Sequence, residues 1–125
     1  MTMMRSDNMG DRICLTFVDN NGERSPCLYS HWGGMTLIGE AEEFWKKYIQ
    51  DRTPDDSVCA RPIRTEPGNF MVNFVSHLTG GEIHDGGLYL YPTSKDSCSP
   101  DDNGYWVMNT DTGEIAQVED AYYIG

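Results

Sequence analysis

Apolar and polar residues alternate over 11–18, with Ile13, Leu15 and Phe17 on one side of an extended segment. That period of two predicts a half-buried strand. Asp19-Asn20-Asn21-Gly22 follows, and Asn-Gly accepts the positive φ of a tight hairpin. A return strand is expected from about Ser25 to Trp32, with Pro26 near its start, where a missing N–H is tolerated. Gly33-Gly34 breaks it. From Thr36, read as a cap, the period changes to three or four: Leu37, Ile38, Ala41, Phe44, Trp45, Tyr48 and Ile49 form the stripe of an amphipathic helix. Glu40, Glu42 and Glu43 lie early and Lys46, Lys47 and Arg52 late, as the helix dipole favours. Pro54 ends it.

Residues 53–68, with Pro54, Pro62, Pro67 and Gly68, read as an irregular connection. In 69–79 the residues Phe70, Met71, Phe74, Val75 and Leu78 suit a helix, although Phe70, Val72, Phe74 and Leu78 also suit a strand. Asn69 as a cap and Gly80-Gly81 as a terminator favour the helix. Strands follow at 87–91, 105–109 and 114–118, separated by the polar loop 93–103 and the turn Thr110-Asp111-Thr112-Gly113. The order ββααβββ, without βαβ repetition, predicts an α+β fold: an antiparallel sheet of about five strands with two helices on one face. At 125 residues this is one domain, with residues 1–9 expected as a flexible leader.

Composition narrows the choices. The chain is 38% hydrophobic and 11% aromatic, too apolar for a disordered chain despite its charge. No apolar run approaches the ~20 residues of a bilayer span, and the amino terminus lacks a secretory signal, so a cytoplasmic location is expected. Four cysteines (Cys14, Cys27, Cys59 and Cys98) lie too far apart in sequence for the short pairs of a zinc site. They read as buried free thiols, and no cofactor is implied.

The net charge is −11, and residues 80–125 hold nine acids against the single base Lys95, a local −8. Such a surface repels phosphate backbones, which argues against direct nucleic-acid binding. It suits a basic partner protein, with Asp96, Asp101, Asp102, Asp111 and Glu114 as expected contacts. Unpaired strand edges would also be compatible with a homodimer.

Candidate chemistry concentrates at Leu28–Thr36. Two glycines before a helix can expose consecutive N–H groups and the positive end of its dipole. Trp32 can stack on a ring, and His31 can hydrogen-bond or titrate near neutrality. His31, Trp32, Gly33, Gly34 and Thr36 are therefore expected to bind a small anionic, nucleotide-like ligand. The competing structural reading has Trp32 filling the core, so that its replacement acts through folding, and His31 bonded to a backbone carbonyl. Catalysis by Ser30 or a cysteine is weakly encoded, because adjacent Ser30 and His31 point to opposite faces of a strand.

Tyr29-Ser30-His31-Trp32-Gly33-Gly34 resembles a Tyr-x-His-Trp-[Asp/Gly]-Gly signature of small uncharacterised proteins of phages, prophages and archaeal mobile elements. Asp102-Asn103-Gly104-Tyr105 and Asn109-Thr110-Asp111-Thr112-Gly113 resemble the closing hairpin of that group. The resemblance implies a mobile-element origin. Combined with the charge, it gives a first functional expectation: a non-enzymatic acidic protein, such as a counter-defence inhibitor, that docks on a basic host protein.

Overall fold

The computed structural model describes residues 11–52, 65–81, 87–92 and 102–119. Their elements run β1 (Ile13–Val18), β2 (Cys27–Ser30), α1 (Thr36–Arg52), α2 (Pro67–Thr79), β3 (Leu88–Tyr91), β4 (Tyr105–Asn109) and β5 (Ile115–Val118). The fold is α+β, and its five strands form one sheet in the order β3-β2-β1-β4-β5.

The sheet is mixed, which corrects the all-antiparallel expectation. β1 pairs antiparallel with β2, but parallel with β4, Cys14 lying opposite Tyr105 and Val18 opposite Asn109. Parallel neighbours need a connection of a dozen residues or more. Here both helices and β3 lie between the paired strands. β2–β3 and β4–β5 are antiparallel.

β1 is the central strand, and it is buried on both faces rather than half-buried. Ile13, Leu15 and Phe17 meet Leu28, Met108 and the helix residues Leu37, Ile38, Ala41, Tyr48, Phe70, Met71 and Phe74 in the main core. Phe17 takes edge contacts from Phe70 and Phe74 at centroid distances of 5.0 and 5.6 Å. Cys14, Cys27 and Tyr29 form a smaller cluster on the opposite face, flanked by Tyr91 and Tyr105. The hydrogen bond with Cys14, and then burial, push the Cys27 thiol far above its ordinary range, so the nucleophilic thiolate is suppressed. Cys14 and Cys27 are buried thiols, not disulfide-bonded; Cys59 and Cys98 lie outside the described residues.

Helix α2 starts two residues before the expected Asn69 cap. Pro67 occupies the first turn, where its missing N–H costs no helical bond, and Glu66 stands at the N-cap. The Asn69 amide instead donates to the Tyr48 hydroxyl at 3.2 Å. Gly80, at φ 66°, closes the helix as expected, with its N–H and that of Gly81 returning to His77 and Ser76 carbonyls.

Candidate functional site

The strand β2 ends at Ser30, and the chain then turns through His31–Met35 into α1. At this junction the Asp11 N–H donates to the His31 carbonyl (2.7 Å) and the Gly34 N–H to the Asp11 carbonyl (2.8 Å). The Gly33 N–H donates to Ser30 Oγ at 2.9 Å. The N–H groups of Thr36, Leu37 and Ile38 donate to the carbonyls of Gly33, Gly34 and Met35. Gly34, at φ +53°, has the Asp11 carboxylate against it, so close that an added Cβ would lie 2.1 Å from Asp11 Oδ2. Donors that would hold an external anion are thus engaged internally, with a carboxylate already beside them.

His31 and Ser30 face opposite sides of the sheet. The His31 Nδ1 shares a 3.1 Å hydrogen bond with the Tyr29 hydroxyl, where a backbone carbonyl had been expected as partner. The ring also meets Trp32 edge-on, at a centroid distance of 4.4 Å. Trp32 does not fill the core: it is 55% exposed, lying over Gly87, where an added Cβ would be 2.8 Å from Trp32 Cδ1.

On the helix side of this junction opens a cleft of about 250 Å³, lined by Ser30, Trp32, Gly33, Thr36, Leu37, Glu40, Leu78 and Leu88. Three of the expected ligand residues, Trp32, Gly33 and Thr36, line it; His31 and Gly34 do not, and are tied by backbone bonds to Gly87 and Asp11. Leu37, Leu78 and Leu88 supply an apolar lining. Glu40 brings a carboxylate whose Oε1 lies 3.3 Å from His77 Nε2, and His77 itself stacks on Phe44 at 4.9 Å. Glu40 was legible as a companion of Thr36, since positions i and i+4 share a helix face. Leu78 and Leu88 carry no such signal; they arrive from α2 and β3 through tertiary packing.

The expected partner-binding acids do not form one free surface among the described residues. Asp102 accepts from the Arg12 N–H and Nε at 3.0 and 3.3 Å, a pair largely shielded from solvent. Asp111 accepts from the Asn20 N–H at 2.9 Å and from the Thr65 hydroxyl. These two donors, Thr65 foremost, hold its carboxyl below the usual range. Glu114 is exposed, and Asp96 and Asp101 lie outside the described residues. Asp102 and Asp111 also sit at opposite ends of β4, whose five residues span roughly 13 Å.

No group of three or more metal-ligating side chains occurs among the described residues, and no described helix is long and apolar enough to cross a membrane. The chain matches no family model, and no curated protein or solved structure matches it.

Proposed function

We propose that this chain is a non-catalytic binding protein whose cleft beside Trp32 takes a small ligand with one flat apolar ring and a short cationic arm. The cleft itself carries this reading: an exposed tryptophan and three leucines frame a volume with a carboxylate, Glu40, on its wall. About 250 Å³ falls just under the ~300–1,000 Å³ of ordinary small-molecule pockets, which suits one ring and a short chain. The ring would lie against Trp32, and an ammonium would meet Glu40 in place of His77. The ligand class thereby moves from the anionic, nucleotide-like one towards a cation, because the Gly33 and Gly34 N–H groups are engaged.

A matched pair of probes tests it: phenethylamine and phenylacetate share a ring and differ in the sign of the arm. Amide shifts at Gly33, Thr36 and Glu40 should titrate with phenethylamine at least tenfold more tightly than with phenylacetate. Glu40→Gln should erase that preference. Trp32→Ala should weaken phenethylamine about tenfold, or about 1.4 kcal/mol, with thermal stability within ~0.5 kcal/mol of the parent. Tighter binding of phenylacetate, or shifts confined to other regions, would remove the proposal.

The net charge of −11 favours a second reading, in which the chain docks on a basic partner as the mobile-element resemblance suggests. Exposed Glu23, Glu42, Glu43, Glu114 and Glu119 support it better than Asp102 and Asp111, whose carboxylates hold backbone groups of their own chain. Such a complex should weaken steeply between low and high salt. A salt-indifferent complex would sink this reading.

A further inference from the structure

The edge of the sheet at β3 is apolar and open. Tyr89 is 50% exposed and Leu90 57%, although they point to opposite faces of the same strand. Alternation of this kind normally leaves one side chain covered, so neither sheet layer closes over these two middle residues, whereas Leu88 and Tyr91 at the strand ends are half-buried. The backbone is open as well. The His31 N–H donates to the Gly87 carbonyl at 2.9 Å, which makes 31 and 87 a hydrogen-bonded pair. Antiparallel ladders alternate, so Tyr29–Tyr89 and Cys27–Tyr91 are bonded pairs, and Leu28–Leu90 and Ser30–Leu88 are not. The N–H and C=O groups of Leu88 and Leu90 therefore point outward, and no strand lies beyond β3 among the described residues. Soluble proteins usually guard such an edge with lysine, proline or a bulge. Leu88–Tyr91 contains no lysine and no proline. Exposed Trp32, in contact with Gly87, extends the apolar surface past the start of the strand.

We propose that the β3 edge is a docking surface that takes an extended segment of a basic partner protein as a sixth strand. Main-chain bonds to Leu88 and Leu90 would provide the affinity, as in other edge-strand additions. Alternate side chains of the incoming segment would meet Tyr89 on one face and Leu88 and Leu90 on the other. Charge selects the occupant. A second copy would carry the same net charge of −11, and like net charges oppose association. Lysines or arginines flanking an apolar partner strand would be drawn to the same field. The surface adjoins the ligand cleft, which Trp32 and Leu88 also line; the charge of its partner rests on the acidic-docking reading.

The probe is a blocked peptide, Lys-Lys-Val-Thr-Val-Thr-Val-Lys-Lys, compared with a Glu-flanked counterpart and with a version N-methylated at alternate backbone amides. The Lys-flanked peptide should shift the amides of 87–91, and N-methylation on its bonding side should weaken it at least tenfold. Leu90→Pro removes one outward N–H without touching the ladder to β2, and should weaken binding at least tenfold in a protein that still folds. The N-methylated peptide reads the same bonds with the parent protein should that variant misfold. Shifts away from β3, or equal binding of the N-methylated peptide, overturn the edge site and leave acidic docking standing. Equal binding of the Glu-flanked peptide overturns the basic occupant, and the acidic-docking reading with it. Doubling of the protein's mass with concentration, abolished by Leu90→Pro, gives the edge to a second copy and also overturns the proposal.

Discussion

The two ends of the sheet are built from similar residues and do different things. At the turn end, where β1 and β4 finish, Asp19 Oδ1 accepts from the N–H groups of Asn21 and Glu23. Asn109 Oδ1 accepts from those of Asp111 and Thr112, and the Asn109 amide donates to Asn20 Oδ1. Thr110 binds Val18 and Thr65 carbonyls, and the Trp45 indole N–H reaches the Thr110 carbonyl at 2.8 Å. At the junction end, the Asn103 amide donates to Asp11 Oδ1 (2.7 Å) and the Arg12 carbonyl (2.8 Å), while its own carbonyl takes the Trp106 indole N–H. Each end thus uses an asparagine and an indole to tie loops together. Only the junction end leaves a tryptophan ring, Trp32, over an open cleft. Acidic and amide side chains near loops are here mainly structural, and the distinguishing feature of the candidate site is its uncovered aromatic surface.

Matched substitutions should break this symmetry in a defined order. Gly113, at φ +81°, lies under the Trp45 ring, where an added Cβ would be 2.7 Å away. Gly113→Ala should cost about 3 kcal/mol in denaturant unfolding, from the left-handed backbone and the rigid ring it strikes. Gly34→Ala should cost less, about 2 kcal/mol, since the Asp11 carboxylate it meets can rotate aside. A larger loss at Gly34 than at Gly113 would show that the junction is the stiffer end.

Asparagine replacements sharpen the contrast. Asn103→Ala removes two donated bonds, one to a carboxylate, in a half-buried setting, and should cost about 1.5 kcal/mol. Asn109→Ala, at a half-buried strand-end residue whose bonds to the following turn are solvent-exposed, should cost about 1 kcal/mol. Equal midpoint shifts would mean that solvent does not discriminate between the ends.

The smallest effect belongs to Asp111. Its carboxyl is held low in the folded chain, so its contribution is present above the unfolded carboxylate value of about 4 and fades as pH falls through the lowered folded one. Asp111→Asn should therefore lower stability at pH 7 by less than about 1 kcal/mol, given its exposure, and the difference should shrink in acid. A gap that widens towards low pH would contradict the Thr65 and Asn20 hydrogen bonds as its cause.

Much of this fold was legible from local pattern. The α1 stripe, the Asn21-Gly22 turn and the strand at Tyr105–Asn109 all follow from side-chain period and turn chemistry, which are properties of short segments. The partner of each strand is not. Alternation in Tyr105–Asn109 says that the segment is extended, but carries no sign that its neighbour is β1 or that the two run parallel. The same limit applies to the site. Trp32 beside two glycines suits a core residue or a surface ring equally well, and its neighbour Gly87 arrives from a distant part of the chain. The engagement of the Gly33 and Gly34 N–H groups by Ser30 and Asp11 was hidden likewise, because Asp11 lies 23 positions upstream of Gly34.

The parallel pairing of β1 with β4 has a consequence for how the chain is made. Cys14 faces Tyr105, a partner translated 91 residues later. At about 5–20 residues per second, one flank of the central strand waits roughly 5–18 s for its neighbour. During that interval Ile13, Leu15 and Phe17 belong to a strand with an open margin, and the nascent chain depends on β2 and the helices to shield it. High contact order of this kind slows folding and lengthens exposure to chaperones and proteases. The arrival of β4 therefore decides whether β1 ends up in a finished core.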